Sequence, residues 1–226
     1  MYKVILADAD DTIFDFGKSE RHALERTFQD LHKSADMDAL FTRYHAINKQ
    51  LWADLELGLI DNKTLRVERF RRLFDEFGLS LPPKEFGDLY LQHLGEGAYL
   101  LDGAEELCKY LSEKYTLVIV TNGIKEVQRS RLGRSTIQQY VSGLIISEEV
   151  GVSKPHPHIF DAALRTANHS ERHNVLMIGD SLNSDILGGI NYGIDTCWVN
   201  PDGLPNTLST EPTYQIRTIG ELYNFL

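Results

Sequence analysis

Four short segments of this 226-residue chain carry side chains that together could move a phosphoryl group. The first is VILADADDT, Val4 to Thr12, in which an apolar run ends on Asp8 and a second carboxylate follows at Asp10. The others are VIVTNG (Val118 to Gly123), GVSKP (Gly151 to Pro155) and VLMIGDSLNSD (Val175 to Asp185). An aspartate can attack phosphorus and form an acyl phosphate, which splits one hard displacement into two easier ones. Attacking carboxylate and phosphate are both anionic, so a cation must stand between them. Oxygen donors from Asp8 and Asp180 suit Mg²⁺, and Lys154 adds fixed positive charge. Thr121, Asn122 and Gly123 can offer hydroxyl and N–H donors to the phosphoryl oxygens. Asp10 is then the candidate general acid/base, protonating the leaving alkoxide and later activating water.

These residues need strands to carry them. Apolar runs predict strands at 3–7, 117–121, 143–146, 175–179 and 196–199, with a weaker one at 214–216. Helices are expected at 103–114, 124–134, 156–167, 184–192 and 219–225. Such alternation implies a doubly wound α/β parallel sheet with helices on both faces. Ligands of open α/β sheets sit beyond the carboxyl ends of the strands. Asp8, Thr121 and Asp180 each end a strand and Lys154 follows one, so the four are expected to converge.

Residues 16–95 read differently. Leu24, Phe28 and Leu31 share a helical spacing, as do Met37, Leu40, Phe41, Tyr44, Ile47, Leu51, Trp52 and Leu55. Val67, Phe70, Phe74 and Phe77 form a third stripe and Phe86, Leu89 and Tyr90 a fourth. The expected organisation is a core of residues 1–15 and 96–226 with an all-helical insert at 16–95. Two linkers, 14–18 and 95–102, would let the insert close over a site and exclude water.

Composition narrows the functions. A net charge of −10 lacks the basic footprint of a nucleic-acid polymer binder. No apolar run approaches the roughly 20 residues of a membrane span, and no targeting segment is visible, so a cytoplasmic enzyme is expected. Cys108 and Cys197 lack metal-ligand spacing and are expected to be small buried hydrophobes. The histidines show no triad or zinc spacing, and His156 and His158 read as loop residues.

The four segments resemble the motifs of the haloacid dehalogenase (HAD) superfamily, most of whose members are phosphatases, over Val4 to about Asn200. The resemblance implies a Rossmann-like core, with the first strand central, and a helical cap domain. It makes Asp8 the nucleophile, Asp10 the acid/base, Thr121 and Lys154 the phosphate ligands, and Asp180 a ligand of Mg²⁺, for which Mn²⁺ can substitute. The backbone carbonyl of Asp10 becomes a further metal ligand and Asp185 a water-mediated or outer one. Asp11 and Thr12 join the phosphate-binding set. The superfamily usually has Gly where this chain has Asp11, so the Asp11 side chain is expected to turn away while its N–H faces the phosphate.

NKQLW (Asn48 to Trp52), ISEEVGVSKPHPHIF (Ile146 to Phe160) and DILGGINYG (Asp185 to Gly193) are similar to the YjjG-type pyrimidine 5′-nucleotidases. That branch implies a small phosphate ester as partner, a nucleoside monophosphate; between monomer and homodimer the sequence does not choose. Trp52 could then stack on a base and Asn48 bond its edge; ordinary packing and a satisfied buried amide are the competing readings. Arg129 and Arg131 are expected as solvated helix residues rather than substrate contacts, and Asp185 could simply favour a helix start. Phosphoglycolate or sugar-phosphate hydrolysis remains open, as does a receiver-like phosphoaspartate switch, although a receiver has no use for a leaving-group acid such as Asp10.

Overall fold

The computed structural model describes residues 1–33 and 36–226, apart from the Glu56 side chain. The chain divides into two compact units, Met1–Gly17 with Ala98–Leu226, and Lys18–Gly97.

The first unit is built on a six-stranded parallel sheet in the order β3-β2-β1-β4-β5-β6. Its strands are β1 (Val4–Ala7), β2 (Thr116–Thr121), β3 (Gly143–Ile146), β4 (Val175–Gly179), β5 (Asp195–Val199) and β6 (Tyr214–Ile216). Strand residues alternate between faces with period two. Ile5, Ala7, Leu117, Ile119, Leu176, Ile178 and Cys197 pack on one side with Leu107, Cys108 and Leu111. Val4, Leu6, Val118, Val120, Val175 and Met177 pack on the other with Ile159, Phe160, Ala163 and Leu164. Both faces are thus buried, which is why these strands read as continuous apolar runs.

The helices in chain order are α1 (Phe16–Asp30), α2 (Met37–Glu56), α3 (Asn62–Phe77), α4 (Pro83–Glu96), α5 (Ala104–Lys114), α6 (Lys125–Arg134), α7 (Ser147–Val150), α8 (Pro157–Thr166) and α9 (Leu187–Tyr192). Two expected helices differ from their predicted form. The stretch expected to start a helix at Ser184 is a π-type turn over Leu182–Ile186, with Ile186 N bonding Ser181 O at 3.1 Å, before α9 begins. Such turns often occur at functional sites. The expected C-terminal helix is a tighter 3₁₀ coil over Ile219–Asn224, entered through a reciprocal cap between Thr218 and Glu221.

The second unit holds α2, α3, α4 and most of α1. Asp36 and Asp61 cap α2 and α3 by accepting from Ala39 N at 3.2 Å and Thr64 N at 2.8 Å, which satisfies amides that a helix start leaves open. Phe70 sits at the centre of the bundle, with ring centroids 4.9 Å from Phe86, 5.1 Å from Tyr90 and 5.3 Å from Tyr44. Of the predicted stripes Leu24, Phe28, Leu40, Tyr44, Ile47, Leu51, Phe70, Phe74, Phe86 and Tyr90 are buried, whereas Leu31 and Phe77 are exposed and Val67 is half-buried, the α3 face running instead through Leu65 and Leu73. Among the described residues no helix is long and apolar enough to cross a membrane.

Candidate active site

Strand β1 delivers Asp8 directly. Its amide continues the parallel ladder by donating to Ile178 O at 2.8 Å. The chain then folds back: Ile13 N and Phe14 N both bond Ala9 O, at 3.0 and 2.8 Å. Asp11 occupies the turn at φ +53°, a left-handed conformation that Asp tolerates better than most residues. Its side chain turns to the start of α1, accepting from Phe16 N at 3.2 Å. Its N–H does not face the site as expected, because the turn uses it to bond Phe14 O at 2.8 Å. Thr12 is buried, and its hydroxyl has no hydrogen-bond partner among the described residues.

Thr121 ends β2, and its Oγ1 accepts from Gly123 N at 3.0 Å. The Asn122 side chain is committed elsewhere. Its Nδ2 donates to Lys154 O at 3.0 Å and its Oδ1 accepts from Lys154 N at 2.8 Å. The carboxamide therefore holds the Lys154 loop and is not a free phosphate donor.

Lys154 is buried, with its ammonium bonded to Asp8 Oδ1, donating to Val120 O at 2.7 Å and lying 2.6 Å from Asp185 Oδ1. Asp185 is fully buried and its Oδ2 accepts from Ser181 N at 3.0 Å. Gly179 makes room for it, since a Cβ there would lie 2.3 Å from Asp185 Cγ. Trp198 on β5 fixes the neighbouring loop by donating from Nε1 to Asp180 O at 2.8 Å. Asp8, Asp180 and Asp185 thus converge, each with a carboxylate oxygen within 4.8 Å of the others.

The electrostatics of this cluster are unbalanced. Burial, opposed by Lys154 and reinforced by Asp185 and Asp10, pushes the Asp8 carboxyl up to about 7. Burial and then repulsion from Asp185, Asp8 and Asp11 hold Asp180 well above the usual carboxylate range. Burial draws the Lys154 ammonium down, but Asp185 and Asp8 outweigh it and the net shift is upward. Three carboxylates around one ammonium leave two formal negative charges. An all-oxygen donor set with that residual charge fits a hard divalent cation such as Mg²⁺.

Asp10 faces α6. Its Oδ2 accepts from Gln128 Nε2 at 2.7 Å and its Oδ1 is paired with Arg131 Nη1. Arg131, expected to be solvated, is fully buried, with its guanidinium 4.5 Å from the centroid of Phe14. Arg129 is exposed as expected and makes two bonds of 2.7 Å to Glu149. Gln128, Arg131 and Trp198 are the contacts that sequence reasoning missed. A signal existed for the first two: Ile124, Val127, Gln128 and Arg131 share one buried helix face, and polar residues at apolar positions ask for a partner.

In the helical unit Asn48 is buried, donating to Glu20 Oε1 at 2.7 Å and facing Arg69 Nη1 at 3.4 Å. Arg69 is itself buried over the Tyr90 and Phe70 rings, at 5.0 and 5.1 Å. Trp52 is half-buried.

The family model for haloacid dehalogenase-like hydrolases matches residues 2–193. The chain is 37% identical to the HAD-hydrolase YfnB of Bacillus subtilis, covering 100% of this chain and 95% of that protein. It is 36% identical to the pyrimidine 5′-nucleotidases YjjG of Escherichia coli, over 98% of this chain and 96% of that protein, and PynA of Streptococcus pneumoniae, over 100% and 95%. A crystal structure of YfnB bound to magnesium, said to reveal interdomain movement, matches with a TM-score of 0.92 at 36% identity, over 99% of this chain and 97% of that one. The chain belongs to the haloacid dehalogenase-like hydrolase family. The expected fold class and hydrolase class therefore hold, and the relatives compared over the whole chain include phosphatases of small esters.

Proposed function

We propose that this protein is a Mg²⁺-dependent phosphomonoesterase acting on small 5′-nucleotides, pyrimidine nucleoside monophosphates above all. The observation that carries the reading is the Lys154 ammonium bonded to Asp8 beside the Asp180 and Asp185 carboxylates. That is an attacking carboxylate with cationic help at the end of a central strand. The full-length likeness to two pyrimidine 5′-nucleotidases supports the substrate class.

In this reading Asp8 attacks phosphorus, the phosphorus–oxygen bond to the nucleoside breaks, and Asp10 gives the leaving oxygen its proton. Water then attacks the phosphoaspartate, Asp10 takes the proton, and inorganic phosphate leaves with Asp8 restored. Lys154 holds charge against the phosphoryl oxygens, while the Thr121 hydroxyl and the buried Thr12 hydroxyl supply donors; the Gly123 N–H, expected to join them, donates to Thr121 Oγ1. Asp8, Asp180, Asp185 and the Asp10 carbonyl would hold the Mg²⁺, which when bound screens the repulsion between attacker and phosphate. Residues 18–97 act as the cap that selects the ester. Trp52 is the ring to test for base stacking. Asn48 already spends its amide inside the bundle, so its replacement is expected to perturb the bundle before it perturbs selectivity.

The test is phosphate release from a panel of nucleoside monophosphates, sugar phosphates and phosphoglycolate, with and without Mg²⁺. Mg²⁺-dependent release strongest from pyrimidine 5′-monophosphates supports the reading. Preference for a sugar phosphate or phosphoglycolate keeps the mechanism and removes the substrate assignment. A stable phosphoaspartate without turnover removes the enzyme reading in favour of a switch.

A further inference from the structure

We propose that Gln128 and Arg131 are positioning residues that fix the Asp10 carboxylate and tie it to the phosphate loop starting at Thr121. The proposal rests on the acid/base role given to Asp10 above. Three observations on one helix face lead to it.

First, each oxygen of Asp10 accepts one bond, Oδ2 from Gln128 at 2.7 Å and Oδ1 from Arg131, which leaves each oxygen a second lone pair to carry the transferred proton. Two donors three residues apart stand on one face of a helix, and together they set the rotation of the carboxylate as well as its place. Second, the pairing is asymmetric in burial. The Arg131 side chain is 0% exposed, whereas that of Asp10 is 23% exposed. Withdrawing a guanidinium from water is costly unless it is well paired, and here it lies between Asp10 and the ring of Phe14. The carboxylate it meets belongs to the residue two positions beyond Asp8, on the turn that follows β1. Third, Gln128 crosses Gly123. A Cβ at Gly123 would lie 2.2 Å from Gln128 Nε2, so the loop needs glycine for the amide to reach Asp10. The group that moves the proton and the loop that holds the phosphoryl oxygens are therefore set by the same helix, α6.

The chemical consequence concerns the leaving group. A general acid contributes only when its oxygen is held within reach of the departing atom. Esters with poor leaving groups, such as a nucleoside alkoxide, depend on that acid, and aryl esters with good leaving groups depend on it less. Gln128→Met and Arg131→Met stay close to the original side-chain volume and remove the donor of one contact each. With Mg²⁺ present, kcat/KM is measured for alkyl and aryl phosphates spanning a range of leaving-group pKa, in the wild-type and Asp10→Asn backgrounds. Loss of positioning is expected to lower kcat/KM on alkyl esters about 10–100-fold, at most the lower end of what general acid catalysis contributes, and several-fold less on p-nitrophenyl phosphate. The Asp10→Asn/Gln128→Met double variant should be no slower than Asp10→Asn. A uniform loss across leaving groups, a further loss in the Asp10→Asn background, or wild-type rates in both single variants would each overturn the proposal. Thermal melts identify an unfolded variant, and Gln128→Met then carries the test alone. Asp10→Asn at the wild-type rate would instead overturn the acid/base reading, a result distinct from failure of the clamp.

Discussion

Lys154 Nζ lies 2.6 Å from Asp185 Oδ1 while also bonding Asp8, so one buried ammonium serves two carboxylates that follow the adjacent strands β1 and β4. Removing one member of a buried ionic set leaves the rest uncompensated, typically costing about 3–5 kcal/mol. Lys154→Met is therefore expected to destabilise the metal-free protein by about that amount, read from the denaturant midpoint, and added Mg²⁺ should recover part of the loss.

The same charge imbalance makes divalent binding a stability reporter. A ligand that binds only the folded state stabilises it by mass action. Mg²⁺ should raise the melting temperature of the wild type, and a chelator should reverse the rise. Asp180→Asn should blunt both effects. Melting curves indifferent to Mg²⁺ would remove the metal assignment.

Asp8→Asn is expected to keep the fold and lose turnover, by roughly 10³-fold or more, as nucleophile removals do. Phosphate release gives the rate and circular dichroism the fold. Near-wild-type release would sink the nucleophile assignment.

Gly179→Ala tests the approach of Asp185 to the sheet. A Cβ would lie 2.3 Å from Asp185 Cγ, so the carboxylate must move off Lys154. The expected result is a loss of about 1–3 kcal/mol, the usual range for overpacking, together with weakened Mg²⁺ stabilisation in the same melts.

The cysteines give a pH prediction. Burial pushes both thiols up to about 12 from an ordinary value of 9.0. Between those values the unfolded chain has released protons that the folded chain still holds. Stability must therefore fall as pH rises through that window. Replacing Cys108 and Cys197 with Ala should flatten the alkaline limb, and neither thiol should react with an alkylating agent until the protein unfolds.

Much of this architecture was legible because strands and their ends have simple signatures. Apolar runs ending on Asp8 and Asp180 marked two of the three carboxylates whose oxygens lie within 4.8 Å of one another in the structure. What escaped were choices made by side chains in three dimensions. Asn122 reads as a phosphate donor, yet its amide finds a backbone across the crevice. Arg131 reads as solvated because arginines usually are, and only the packing of α6 against Phe14 shows otherwise. The Asp11 N–H was expected to serve the ligand, but a tight turn must satisfy its own donors first. The π-type turn at Leu182–Ile186 has no composition cue separating it from the first turn of an ordinary helix.

The carboxamide of Asn122 grips the backbone of Lys154 at both of its peptide groups, donor to carbonyl and acceptor to amide. Two connections that would otherwise wander independently are stapled into one rigid floor. Their conformational freedom is surrendered once, when the chain folds, rather than again with every substrate that arrives. The site is in that sense preorganised: the geometry needed at the top of the barrier is already standing, and each encounter has correspondingly less left to arrange.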